Sequence, residues 1–166
     1  MDHTRRLRPW GVRVLVGGLV LTGLFIATAP VQAHQPFFEE ADIPPDQPWP
    51  IANPAVSTAI YATLESSTDL DLFTFEGELG QIVLLSIVIP QIAGQEDFAP
   101  MMALIGPGLP VGGTTVPPAI SMVAGEGVET IAPPKGPPST FFEPFTRTSY
   151  WERQKQTVTL PADGRY

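Results

Sequence analysis

Cysteine is absent from the 166 residues, which excludes a disulfide scaffold, a thiolate metal site and a cysteine nucleophile. Basic residues are scarce: nine Lys and Arg stand against 17 Asp and Glu, for a net charge of −8. Four of the nine (Arg5, Arg6, Arg8 and Arg13) fall in the first 13 positions. The rest of the chain therefore has little with which to neutralise phosphates, and direct nucleic-acid binding is disfavoured. Histidine is nearly missing too, with only His3 and His34. A Ser–His–Asp triad or a two-imidazole copper site would rest on His34 alone, because His3 belongs to the leader described next. Beyond the first 30 residues no apolar run approaches the ~20 residues of a membrane span, and no segment carries convincing amphipathic helical periodicity.

What is present begins with an export signal. Arg5, Arg6, Arg8 and Arg13 precede the apolar run Val14–Ala29, and Val31-Gln32-Ala33 places small residues at −3 and −1 of a cleavage site. The expectation is a general-pathway signal peptide over 1–33, cleaved after Ala33, and a protein that is secreted or held in the periplasm or cell envelope. The competing reading is an uncleaved anchor, against which the run is short and interrupted by Gly17-Gly18. After cleavage no membrane span remains.

His34–Pro54 is rich in proline and acid, and proline removes donors and fixes φ. It reads as an extended lead-in, over 34–58, that Phe37, Phe38 and Trp49 clip onto a domain occupying 59–166. Ala59–Glu65 and Leu70–Glu76 alternate as half-buried strands around the turn Ser66–Asp69, and Gly77–Gly80 suggests a hairpin into Gln81–Ile89. That last run, QIVLLSIVI, reads as a central strand buried on both faces. Met101–Ile105, Ala119–Val123, Val128–Ala132 and Thr157–Leu160 are further short strands, with Tyr150–Gln156 left open between strand and irregular. The expected fold is all-β, an antiparallel β-sandwich of jelly-roll type. Arg165-Tyr166 reads as the start of another strand, so the sandwich is expected to lack its last strand or strands here.

Ser66–Leu85 (SSTDLDLFTFEGELGQIVLL) resembles the bacterial pre-peptidase C-terminal domain. The resemblance rests on a short strand, a polar turn, Asp69-x-Asp71 followed by Phe73 and Phe75, then Leu79-Gly80-Gln81 and an apolar strand. Met102–Gly106 and Ala162–Tyr166 are similar to later pieces of the family, and the Pro-rich stretch Gly106–Pro138 departs from it. The resemblance implies a secreted jelly-roll-like module of the kind often appended to peptidases. Some collagenase-linked members bind calcium through acids of the lead-in and of the turn before the Asp-x-Asp strand. Carried over, this names Asp69, Asp71, Glu39 and Glu40 as calcium ligands, with Asp42 and Asp46 as further lead-in carboxylates. Calcium takes six to eight oxygens, and Asp69 and Asp71, two apart on a strand, share a face. The plainer alternative is solvated surface charge, with Asp69 capping a turn through its own backbone.

Phe141–Trp151 holds five aromatics in 11 residues. Exposed, Phe145, Tyr150 and Trp151 would form a platform for sugar rings or a protein partner; the simpler reading is a core-facing strand bent at Pro144. Gly106–Gly112 is no phosphate loop, since Pro107 and Pro110 lack the N–H groups such loops use. Among the carboxylates, Glu96, Asp97, Glu143 and Glu152 offer nominal glycosidase pairs, and nothing in the spacing singles one out. The expected function is therefore an exported, non-catalytic β-sandwich module with a binding or stabilising role, assisted by calcium, acting on an extracytoplasmic protein or glycan. The alternatives are a carbohydrate- or peptide-binding module using 141–151, and a fragment of an exported hydrolase.

Overall fold

The computed structural model describes residues 34–112, 116–144 and 146–166. The leader with its cleavage site lies outside them, as does Phe145. Eleven strands follow one another without a helix among the described residues: β1 (Gln35–Phe38), β2 (Trp49–Pro50), β3 (Thr58–Tyr61), β4 (Phe73–Thr74), β5 (Glu76–Gly77), β6 (Ile82–Pro90), β7 (Met102–Pro107), β8 (Glu126–Ile131), β9 (Ser139–Glu143), β10 (Thr148–Thr159) and β11 (Gly164–Arg165). The fold is all-β and sandwich-like, built of one three-stranded sheet, β6-β10-β9, and four strand pairs. β6–β10, β10–β9, β7–β8 and β5–β11 are antiparallel. The pairs β1–β3 and β2–β4 are parallel.

The core gathers one face of β6 and β10 with β7 and the chain's last residue: Val83, Leu104, Leu109, Val158, Leu160 and Tyr166, flanked by Phe75 and Leu85. Leu160 is wholly enclosed, at 0% exposure. Tyr166 stacks on Phe75 at 5.7 Å. Its hydroxyl accepts the Ala162 N–H (3.3 Å) and lies against the carbonyls of Ala162 (2.9 Å) and Pro107 (3.0 Å), one of which takes its proton. A tyrosine hydroxyl folded back onto the backbone four residues upstream is the tyrosine corner of β-sandwiches. The ring fits only because position 106 is glycine: a Cβ there would collide with it.

Several pairings differ from the sequence reading. The lead-in is not strandless, since it supplies β1 and β2. Its prolines are tolerated because they fall out of the ladder: Gln35 and Glu39 donate to β3 and its flank, and Trp49 and Ile51 donate to Leu72 and Thr74, so Pro36 and Pro50 sit where no N–H is needed. Leu70–Glu76 and Gln81–Ile89 do not form a hairpin; β4 pairs with β2, β5 with β11, and β6 with β10. Nor is β6 buried on both faces. It alternates, with Ile82 68% and Leu84 60% exposed, and it lies at the end of its sheet. Ala119–Val123 forms no strand. Tyr150–Gln156 and Thr157–Leu160, read separately, belong to or directly follow one long strand, β10, and the stretch read as one strand bent at Pro144 is two, β9 and the start of β10, paired with each other and with β9 mostly exposed.

β10 carries one irregularity. Its register on β6 shifts between Glu152 and Gln154, leaving Arg153 as the extra residue of a β-bulge. Arg153 is buried, lies 5.5 Å over the Trp151 ring, and donates to the carbonyls of Gln95 and Glu96. Gln154, also buried, donates to the Pro100 carbonyl. Two consecutive polar side chains thus hold the loop after β6 against the sheet.

Candidate metal centre

Three carboxylates from distant stretches meet where the lead-in crosses the approach to β4. One oxygen each from Glu39, Asp42 and Asp71 lies within 4.8 Å of the others. Local chain geometry explains the convergence. Glu39 follows β1 directly, and its carboxylate accepts the N–H of Ile43 (3.2 Å) and of Thr63 (2.8 Å). The first bond closes a turn that carries Asp42 back toward Glu39, and buried Ile43 anchors that turn. The second meets the backbone just past β3, where strand pairing has ended at Tyr61. The aromatic clip expected of the lead-in is present beside it: Phe37 stacks on Trp49 at 3.8 Å, and Trp49 meets Phe73 edge-on at 6.4 Å.

Asp71 reaches the cluster from the other side, two residues before β4. It is half-buried, and its Oδ1 is shielded from solvent with no hydrogen-bond partner. Removal from water, reinforced by the charges of Glu39, Asp69 and Asp42, pushes its carboxyl up to about 6. Near pH 6 and below the acid is relieved by a proton; at neutral pH it is mostly ionised beside Glu39 and Asp42, an arrangement that favours a cation. The spacing suits a hard ion of calcium's size: ligand oxygens at ~2.4 Å from a centre stand at most ~4.8 Å apart.

Of the four residues named from the sequence, two reach this cluster. Asp69 does not; its Oδ2 accepts the Glu65 N–H (2.6 Å) and its Oδ1 the Leu70 N–H (2.8 Å), so it organises the turn before Asp71. Glu40 is exposed and lines a shallow groove of about 550 Å³ with Phe37, Phe38, Asp42 and Trp49. Asp42 takes their place. Its only sequence signal was membership of the acidic lead-in, since its approach to Glu39 depends on the turn at Ile43.

The aromatic segment is divided. Tyr150 is 8% exposed and stacks on Phe141 at 5.4 Å, and Trp151 is half-buried beneath Arg153. Exposed rings include Phe98, the β9 residues Phe141 and Phe142, and a Phe38–Tyr61 stack at 4.8 Å across β1 and β3, so Phe38, expected in the clip with Phe37 and Trp49, lies outside it. Among the described residues no helix is long and apolar enough to cross a membrane. Comparison with protein families, with curated proteins and with solved structures found no match.

Proposed function

We propose that the chain is an exported, non-catalytic β-sandwich module similar to pre-peptidase C-terminal domains. In this reading a calcium ion joins Glu39 and Asp42 of the lead-in to Asp71. The observation that carries it is the convergence of these carboxylates from segments about thirty residues apart, one of them with a buried oxygen that nothing in the protein satisfies. Calcium would supply the missing positive charge and fix the lead-in, with its exposed Phe38–Tyr61 stack, on the sandwich. That surface, with Phe141 and Phe142 on β9, would meet an extracytoplasmic protein or glycan. The role is binding and stabilisation; the carboxylates serve as ligands.

Thermal melts in calcium and in EDTA test the reading, with Asp42→Asn and Asp71→Asn as probes. Asp42 is the cleaner probe because it is exposed, whereas Glu39 also bonds two backbone amides. Calcium at a hundredfold above its Kd stabilises by about 2.7 kcal/mol, on the order of 10 °C for a domain of this size. Both variants should lose that shift while folding normally in EDTA. Identical melts of the parent in the two buffers would remove the metal from the reading.

A further inference from the structure

We propose that β6 is a self-pairing edge through which two copies of the chain join their sheets about a two-fold axis at Ser86. Antiparallel pairing turns alternate residues toward opposite neighbours. On β6 the odd residues face β10: the Gln81 carbonyl accepts the Leu160 N–H, and the Gln91 N–H donates to the Ser149 carbonyl. Ile82, Leu84, Ser86 and Val88 therefore present N–H and C=O groups to the other side, where no strand lies among the described residues.

Exposed strand edges are normally guarded by charge, bulges or inward-turned polar groups. Over Ile82–Ile89 this one has no such guard, and only Pro90 closes it at one end. Leu79–Gln95 contains no charged residue in a chain of net charge −8, and the bulge lies on β10. The stretch itself therefore adds no charge repulsion between two copies, and the nearest charges on β10, Lys155 and Glu152, are paired with each other at 3.3 Å. Leu79, Ile82, Leu84, Val88 and Ile92 are all exposed along the same stretch.

A second copy fits this edge by symmetry. Centred on Ser86, an antiparallel pair sets Ser86 against Ser86, Leu84 against Val88 and Ile82 against Pro90. Ser86, Leu84 and Val88 already direct their backbone outward, so the Ser86–Ser86 and Leu84–Val88 pairs can exchange hydrogen bonds. Pro90 has no N–H, and the symmetry stops the ladder there at both ends. The joined sheet would run β9-β10-β6-β6-β10-β9, with the Leu84 and Val88 side chains of both copies on one face. One strand edge is at the small end of stable interfaces, so the dimer should depend on concentration.

The absence of native cysteine makes the test clean. Directly opposed residues of a hydrogen-bonded pair have Cα atoms ~5.5 Å apart, within the ~4.4–6.8 Å that a disulfide spans. Ser86→Cys should give a covalent dimer on mild oxidation or with a short bis-maleimide. Lys155→Cys, opposite Ser86 on β10, should not, because the two copies of that position would stand three strand spacings apart, ~14 Å. In sedimentation equilibrium the parent should approach twice its chain mass as concentration rises. Leu84→Lys, at a site 60% exposed, should stay monomeric with an unchanged circular dichroism spectrum. A parent that is monomeric throughout, or equal cross-linking of the two cysteine variants, would overturn the proposal.

Discussion

Around Leu160 and Tyr166, apolar side chains from β6, β7 and β10 close on one another, and the single polar group among them, the Tyr166 hydroxyl, is satisfied by backbone on both sides. Around Glu39 and Asp71 the contacts are of another kind. Two short parallel strand pairs and a run of aromatic stacks bring together three carboxylates, whose like charges oppose the approach. The first region is stable on its own terms, because burial of apolar surface varies little with pH or ions. The second depends on what the solution supplies. One chain thus joins a fixed body to a conditional attachment.

Perturbing the fixed body should have the largest effect. Leu160→Ala removes a fully enclosed side chain, and a loss of about 2–5 kcal/mol is expected, read as a lowered urea midpoint for the whole molecule. Tyr166→Phe keeps the ring and its stack on Phe75 and deletes the hydroxyl. Leaving the Ala162 N–H and a neighbouring carbonyl unsatisfied should cost about 1–3 kcal/mol in the same measurement. If either change loosened only the lead-in, the two regions would not be divided as described.

The conditional region should respond to pH instead. Asp71 binds a proton more tightly folded than unfolded, its pKa being raised from 3.8 to about 6 by burial and by neighbouring carboxylates. Its contribution to stability is therefore greatest below pH 4 and is lost as pH rises through 6. In EDTA, the melting temperature of Asp71→Asn relative to the parent should increase across that window, and the parent's slope should flatten when calcium is added. A difference between the two proteins that did not change with pH would mean that Asp71 does not carry the raised pKa.

Strand identity was largely legible in the sequence, because β-branched runs bounded by Gly and Pro mark β6, β7 and β8 without reference to anything distant. Strand partnership was not. Gly77–Gly80 looks like a hairpin turn, yet Gly77 pairs with Gly164 and Phe73 with Trp49, partners set by the closure of the whole sandwich. Burial was misread for a related reason: an apolar run says what a strand could bury, and Ile82 and Leu84 are left out because nothing among the described residues covers their face. Within the candidate site, Glu39 and Asp71 were named through a family pattern, and the structure brings them together with Asp42. The same pattern named Asp69, whose carboxylate is committed to two backbone amides.

The bulge at Arg153 also says where the chain can change its length. Residues opposite one another share a sheet face, so Glu152 lies on the Val88 side and Gln154 on the Ile87 side. Two even-numbered neighbours can occupy opposite faces only because an extra residue stands between them. Deleting Arg153 would restore regular alternation with both halves of β10 still in frame, and the loss would fall on the loop it holds at Gln95 and Glu96. Deleting a residue within either half would, while the bulge persists, turn that segment over, trading Tyr150 or Val158 for a polar neighbour. Position 153 is thus where a deletion leaves both halves of the strand in frame, and related chains that differ in the length of this strand should differ there.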